Sequence, residues 1–119
     1  MRYVIFSVVF LLLFTPSTAS YTAPEPQNRS INDLITEYAS RYGVSEKVVH
    51  KVINCESRYN PNAVGDGGKS YGLVQIHLPS HPNITKAQAL DSEYAINFLA
   101  KNLAKGNGKI WTCWRKWYN

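Results

Sequence analysis

Long apolar runs are scarce in this chain of 119 residues: the longest spans Tyr3 to Phe14, twelve positions. As a helix it would rise about 18 Å, short of the roughly 30 Å hydrocarbon core of a bilayer, which argues against a membrane span. Arg2 ahead of it and Thr15-Pro16-Ser17-Thr18-Ala19-Ser20 behind it give the layout of a secretory signal peptide over residues 1–20. An uncleaved anchor is the alternative. Runs of like charge are absent. Without Arg2 the chain holds twelve basic and eight acidic residues, the basic ones scattered from Arg29 to Lys116. That balance favours a polyanionic partner, but the lack of a basic stripe removes the main reason to expect nucleic acid. Cysteine is limited to Cys55 and Cys113. One pair cannot fill a four-ligand zinc site without histidines, whereas in an exported chain it serves as a disulfide staple; two buried free thiols are the other reading. Closing a loop of that length is worth about 4 kcal/mol in the chain-entropy treatment. Internal repeats and low-complexity tracts are also missing, and the roughly 100 residues left after the leader suffice for one core and one domain.

Tyr21 to Arg29, with two prolines and little apolar content, reads as an extended arm, so the folded domain is expected over 30–119. Ser30 opens a helix whose Ile31, Leu34, Ile35, Tyr38 and Ala39 share one face, with Asp33 placed for a capping box and Gly43 as its stop. Ser45 caps a second helix with Val48, Val49, Val52, Ile53 and Glu56 on one side, and Asn60-Pro61 blocks its continuation. From Arg58 to Gly72 the composition is turn chemistry, centred on Gly65-Asp66-Gly67-Gly68, and predicts a long irregular loop. Leu73, Val74 and Ile76 form an apolar run too short to assign. Thr85 caps a short helix through Leu90, and a core helix runs from Asp91 or Ser92 to Lys105 with Gly106 as its stop. The aromatic and basic tail, Ile110 to Tyr118, is expected to be pinned by Cys113 onto the end of the second helix, with Trp114 in the core and Trp117 facing substrate or solvent. The fold class is therefore mainly α, a compact single domain with a long Gly-rich loop and at most a minor β element.

Glu56 lies four residues after Val52 and three after Ile53, on the apolar side of its helix. Desolvation there disfavours the carboxylate and raises its pKa, which is what a general acid requires. The handiest comparison is the catalytic glutamate of lysozyme, a known instance of this environment. Spacing alone equally allows a solvated glutamate paired with Arg58 or Lys51. Asp66 is open between turn former and water-activating base. His77 and His81, four apart but separated by Pro79, read as loop or core histidines rather than metal ligands.

Glu56-Ser57-Arg58-Tyr59-Asn60-Pro61-Asn62-Ala63-Val64, followed by Tyr71-Gly72-Leu73-Val74-Gln75-Ile76, resembles the soluble lytic transglycosylase family, which shares the lysozyme-like fold. Tyr94-Ala95-Ile96-Asn97-Phe98-Leu99 adds a weaker likeness, so the resemblance covers Ser45 to about Asn107. It implies cleavage of the bond between N-acetylmuramic acid and N-acetylglucosamine in peptidoglycan strands; no metal or cofactor is expected, and the leader implies an exported chain, secreted or periplasmic, a monomer not inserted in a membrane once the leader is removed. Glu56 would be the acid and Ser57 would support it by hydrogen bonding. Gln75 would offer a donor and an acceptor to an N-acetyl group. Tyr71 and Tyr59 would be cleft-wall residues or structural tyrosines.

One family feature is missing: an Ala-Tyr-Asn-Ala-Gly segment late in the chain, whose tyrosine faces the acid. A tail aromatic, Tyr94 or Asn97 could stand in for it. The choice between transglycosylase and muramidase chemistry stays open at this point, as do a wall-binding assembly protein and a cationic membrane-active protein. The setting is equally open between wall remodelling, an envelope-spanning secretion machine and a phage or competitor.

Overall fold

The computed structural model of the chain describes residues 11–20 and 28–118. The first half of the expected leader and most of the expected arm lie outside the described residues. Residues 11–20 hold no regular element and expose Leu11 to Phe14. No helix among the described residues is long and apolar enough to cross a membrane.

Helix α1, Ile31–Tyr42, begins and ends as its capping residues dictate. The Ser30 hydroxyl accepts from the Asp33 N–H, the Asp33 side chain returns to the Ser30 N–H, and Gly43 closes the helix in the left-handed region at φ 64°. Helix α2, Glu46–Ser57, is capped by Ser45 and ends three residues short of Asn60. Its stop is Arg58 at φ 52°, whose N–H donates to the Asn54 carbonyl, so left-handed backbone ends α2 before proline has any effect. Helix α4, Ser92–Ala104, follows the short α3, Lys86–Leu90, whose Thr85 and Gln88 make a second capping box. The core forms where α1 packs on α4 and α2, through Leu34, Ile35, Val49, Val52, Ile53, Ile96 and Leu99.

Between α2 and α3 the chain departs from a plain loop. Strands β1, Val64–Gly65, β2, Ser70–Tyr71, and β3, Ile76–His77, form an antiparallel sheet in that order. Val64 pairs with Tyr71, and Tyr71 in turn with Ile76. Two-residue strands are too short to show alternation, which is why this sheet reads as irregular in the sequence. The Gly-rich segment is the turn of its first hairpin. Gly72 beside it sits at φ 82°, and a Cβ there would lie 2.0 Å from the Ala89 carbonyl, so α3 can close on the sheet only across a glycine. Leu73 and Val74, unassigned from sequence, are fully buried in the turn before β3.

The tail folds as a helix, α5, Thr112–Tyr118, which packs on α2 through the Cys55–Cys113 disulfide. The buried tryptophan is Trp111, 4 % exposed, rather than Trp114, which is half-buried at the edge of the core. Trp117 is exposed, with the Lys51 ammonium 5.3 Å from its ring centre. The Trp111 indole N–H donates to the Val74 carbonyl at 2.8 Å, which joins the tail to the sheet. Trp111→Phe leaves that carbonyl buried and unpaired and is expected to cost about 1–3 kcal/mol, measurable by urea unfolding.

Candidate active site

A groove of about 670 Å³ opens beside the end of α2. Glu56 lines it together with Gly65, Asp66, Ser70 and Gln75 of the sheet region. Phe98 of α4 and Trp111 supply aromatic surface, and Lys109, Thr112 and Arg115 supply polar groups from the tail. His77, Ser80 and His81 complete it from β3 and the turn beyond.

Glu56 is half-buried, one turn from the fully buried Val52 and Ile53. Its pKa lies above the ordinary carboxylate value, first because burial penalises the charged form and then because the negative charge of Asp66 is near. The Cys113 N–H, which donates to Glu56 Oε1 at 3.2 Å, and the Lys116 charge act in the opposite direction. Burial dominates, so the carboxyl holds its proton more tightly than a solvated glutamate. The disulfide at the neighbouring Cys55 brings the Cys113 N–H to this carboxyl.

Asp66 faces the same groove at φ 51°, and its carboxylate accepts from the fully buried Ser70 hydroxyl. Gln75 is also left-handed, at φ 51°. Such conformations cost non-glycine residues about 1–3 kcal/mol each and concentrate at functional sites. Gln75 does not offer the donor expected of it: both hydrogens of its amide are directed to the Ala63 and Gly72 carbonyls, at 3.2 and 3.0 Å. Only its oxygen remains for a ligand. That oxygen would lie 2.3 Å from a Cβ on Gly65, so the amide has its place because residue 65 lacks a side chain.

The remaining residues singled out from sequence lie elsewhere. Ser57 is buried and donates to the Ile53 carbonyl at 3.1 Å, a back-bond within α2 that takes up its one donor hydrogen. The Tyr71 hydroxyl donates to the Gly68 carbonyl, bracing the hairpin turn. Tyr59 hydrogen-bonds His50 Nδ1 at 2.9 Å and borders a separate shallow depression with Ser30, Ile31 and Asn32. Asn97 accepts from the Tyr42 hydroxyl and thereby ties α4 to α1. None of these four lines the groove, and neither does Tyr94. His77 Nδ1 lies 2.9 Å from the Ser80 hydroxyl, and His81 meets Phe98 edge-on at 5.2 Å. Among the described residues no group of three or more His, Cys, Asp or Glu is placed to hold a metal ion.

Several groove residues escape a reading of the sequence, namely Phe98, Ser80, Lys109, Thr112 and Arg115. Phe98, three residues after Ala95 and beside Leu99, could have been found at the edge of the α4 stripe. The others carry no periodicity.

A mainly helical domain with a small sheet, and a groove that holds a half-buried carboxylic acid at the end of a helix, has the architecture of the lysozyme-like proteins. A sequence model of the transglycosylase SLT domain matches residues 33–118, and the chain belongs to this family. Its function is thus of the peptidoglycan lytic transglycosylase type, with peptidoglycan as the substrate. The match extends the resemblance seen over Ser45 to Asn107 outward, across α1 and α5. No solved structure matches the chain.

Proposed function

We propose that this chain is an exported lytic transglycosylase that cuts the β-1,4 bond between N-acetylmuramic acid and N-acetylglucosamine, with Glu56 as both acid and base. The observation that carries this reading is the half-buried Glu56 carboxyl on the groove, its pKa raised by burial. Protonated Glu56 gives its proton to the bridging oxygen as the bond to C1 of the muramoyl residue breaks. The resulting carboxylate takes the proton of the muramoyl C6 hydroxyl while that oxygen bonds to C1. The products are a 1,6-anhydromuramoyl end and a free 4-hydroxyl, and the carboxyl is restored. One carboxyl suffices. The Gln75 oxygen is available to accept from an N-acetyl N–H, and the half-buried Phe98 offers apolar surface to a sugar ring. Residues 1–20 act as the leader and 30–119 as the catalytic domain, a monomer working outside the cytoplasm.

Asp66 favours a second reading. It lines the groove with Glu56, and no tyrosine does so among the described residues. A pair of carboxyls with room for water is the arrangement of a hydrolase, in which Asp66 would activate the water. Digestion of purified peptidoglycan with mass spectrometry of the products separates the two. Anhydromuramoyl ends are expected; reducing muramoyl ends would establish the muramidase, and intact strands would remove both.

A further inference from the structure

Two cations on the groove have no ion-pair partner among the described residues. Lys109 and Arg115 both line it. The ion pairs of the described residues join Arg29 to Glu37 and Glu93, Arg41 to Glu37 and His50 to Glu46. Neither groove cation takes part in them. The acids of the groove bond other partners, Asp66 accepting from the Ser70 hydroxyl and Glu56 from the Cys113 N–H. The segment that bears the cations is fixed at two points between them, by Trp111 bonded to Val74 and by Cys113 bonded to Cys55. Arg115 is further oriented by its donation to the Thr112 hydroxyl at 3.0 Å. Both side chains belong to exposed residues, so they stand charged at the rim at no desolvation cost until an anion arrives.

The sugar rings and N-acetyl groups of a glycan strand are neutral. The one anionic position in its repeat is the 3-O-lactyl substituent of the muramoyl residue, which bears either its own carboxylate or a peptide stem with carboxylates. We propose that Lys109 and Arg115 form a carboxylate-binding rim for this substituent, so that the preferred substrate is a strand charged at the lactyl position. The proposal rests on the strand-cleavage reading. A guanidinium and an ammonium suit it because each makes charge-assisted hydrogen bonds to carboxylate oxygens, and Arg can do so with two parallel donors.

The test compares three substrates: intact sacculi, sacculi whose carboxyls are capped as methylamides by carbodiimide coupling, and amidase-trimmed strands that keep only the lactyl carboxylate. The wild-type chain should act on capped sacculi about tenfold more slowly at low substrate, the scale of a partly exposed charge-assisted contact. A Lys109→Gln/Arg115→Gln variant should fall to that level on intact sacculi and lose the discrimination. Lys47→Gln/Lys101→Gln, which removes the same charge from exposed positions off the groove, should keep it. Trimmed strands assign the carboxylate: cleavage as fast as on intact sacculi points to the lactyl group, cleavage as slow as on capped ones to the peptide stem. Equal rates on intact and capped sacculi, or an equal loss in the control pair, would overturn the proposal. Co-sedimentation of each variant with intact and capped sacculi supplies a readout without turnover. Carboxyl-dependent binding by a chain that cuts no strand would refute the enzyme reading and leave the rim standing; carboxyl-independent binding would refute the rim.

Discussion

Glu56→Gln is expected to lower peptidoglycan cleavage by roughly 10²- to 10⁴-fold, the usual contribution of a positioned general acid, and to leave the fold intact. Glutamine keeps an oxygen able to accept the Cys113 N–H, so that contact survives while the transferable proton is lost. A comparable loss in co-sedimentation with sacculi would mean that Glu56 serves binding, and the proposed role would fail. Stability supplies an independent check of the burial argument. Folding raises the Glu56 pKa above its ordinary 4.5, so the folded state is penalised only when the carboxyl is ionised. The wild-type chain is therefore free of this penalty below that ordinary value and loses stability as pH rises from there through the folded pKa. The glutamine variant never ionises. Its melting temperature should match the wild type near about pH 4 and exceed it near about pH 7. A variant less stable than wild type at neutral pH would contradict the assigned cause.

The second large effect is expected from Cys55→Ser/Cys113→Ser. The disulfide joins residues 58 positions apart, and opening a loop of that length is worth about 4 kcal/mol in the chain-entropy treatment. A small domain commonly holds only about 5–15 kcal/mol in total, so the urea midpoint should fall steeply. Activity should fall further than the unfolded fraction accounts for. The Cys113 N–H bonds the proposed acid, and the same bridge holds the segment bearing Trp111, Lys109 and Arg115. Reductant applied to the wild-type chain should reproduce both effects. A double variant with wild-type specific activity at temperatures where it is folded would show that Trp111 alone places the tail.

Helices α1 to α4 were legible because their causes are local. Ser30 with Asp33, Ser45 and Thr85 make the caps that their positions predict, and Leu34, Ile35, Val49, Val52 and Ile53 bury the faces that their period marks. The sheet was not legible, because strands of two residues are defined by their partners across the hairpin and not by a pattern of their own. Helix α5 was missed for a similar reason. Its seven residues, aromatic and basic by turns, show no apolar stripe, and it is held by a disulfide and by packing on α2.

Among the site residues the divide is sharper. Motif order singled out Glu56 and Gln75, and both lie on the groove. It also singled out Ser57, Tyr59, Tyr71 and Asn97, whose polar atoms bond within the domain. Residue type says that a hydroxyl or amide can meet a ligand; it does not say that Ile53, His50, Gly68 or Tyr42 has claimed it first. The sequence by itself determined helices α1 to α4, their N-terminal caps, the family and the acid on the apolar face of α2, because these depend on neighbours within a few turns of chain. Tertiary structure alone decided the groove. Its Asp66, Phe98, Lys109 and Arg115 come from a hairpin, a helix and a tail that meet Glu56 only after hydrophobic burial and the Cys55–Cys113 bridge have closed the chain upon itself.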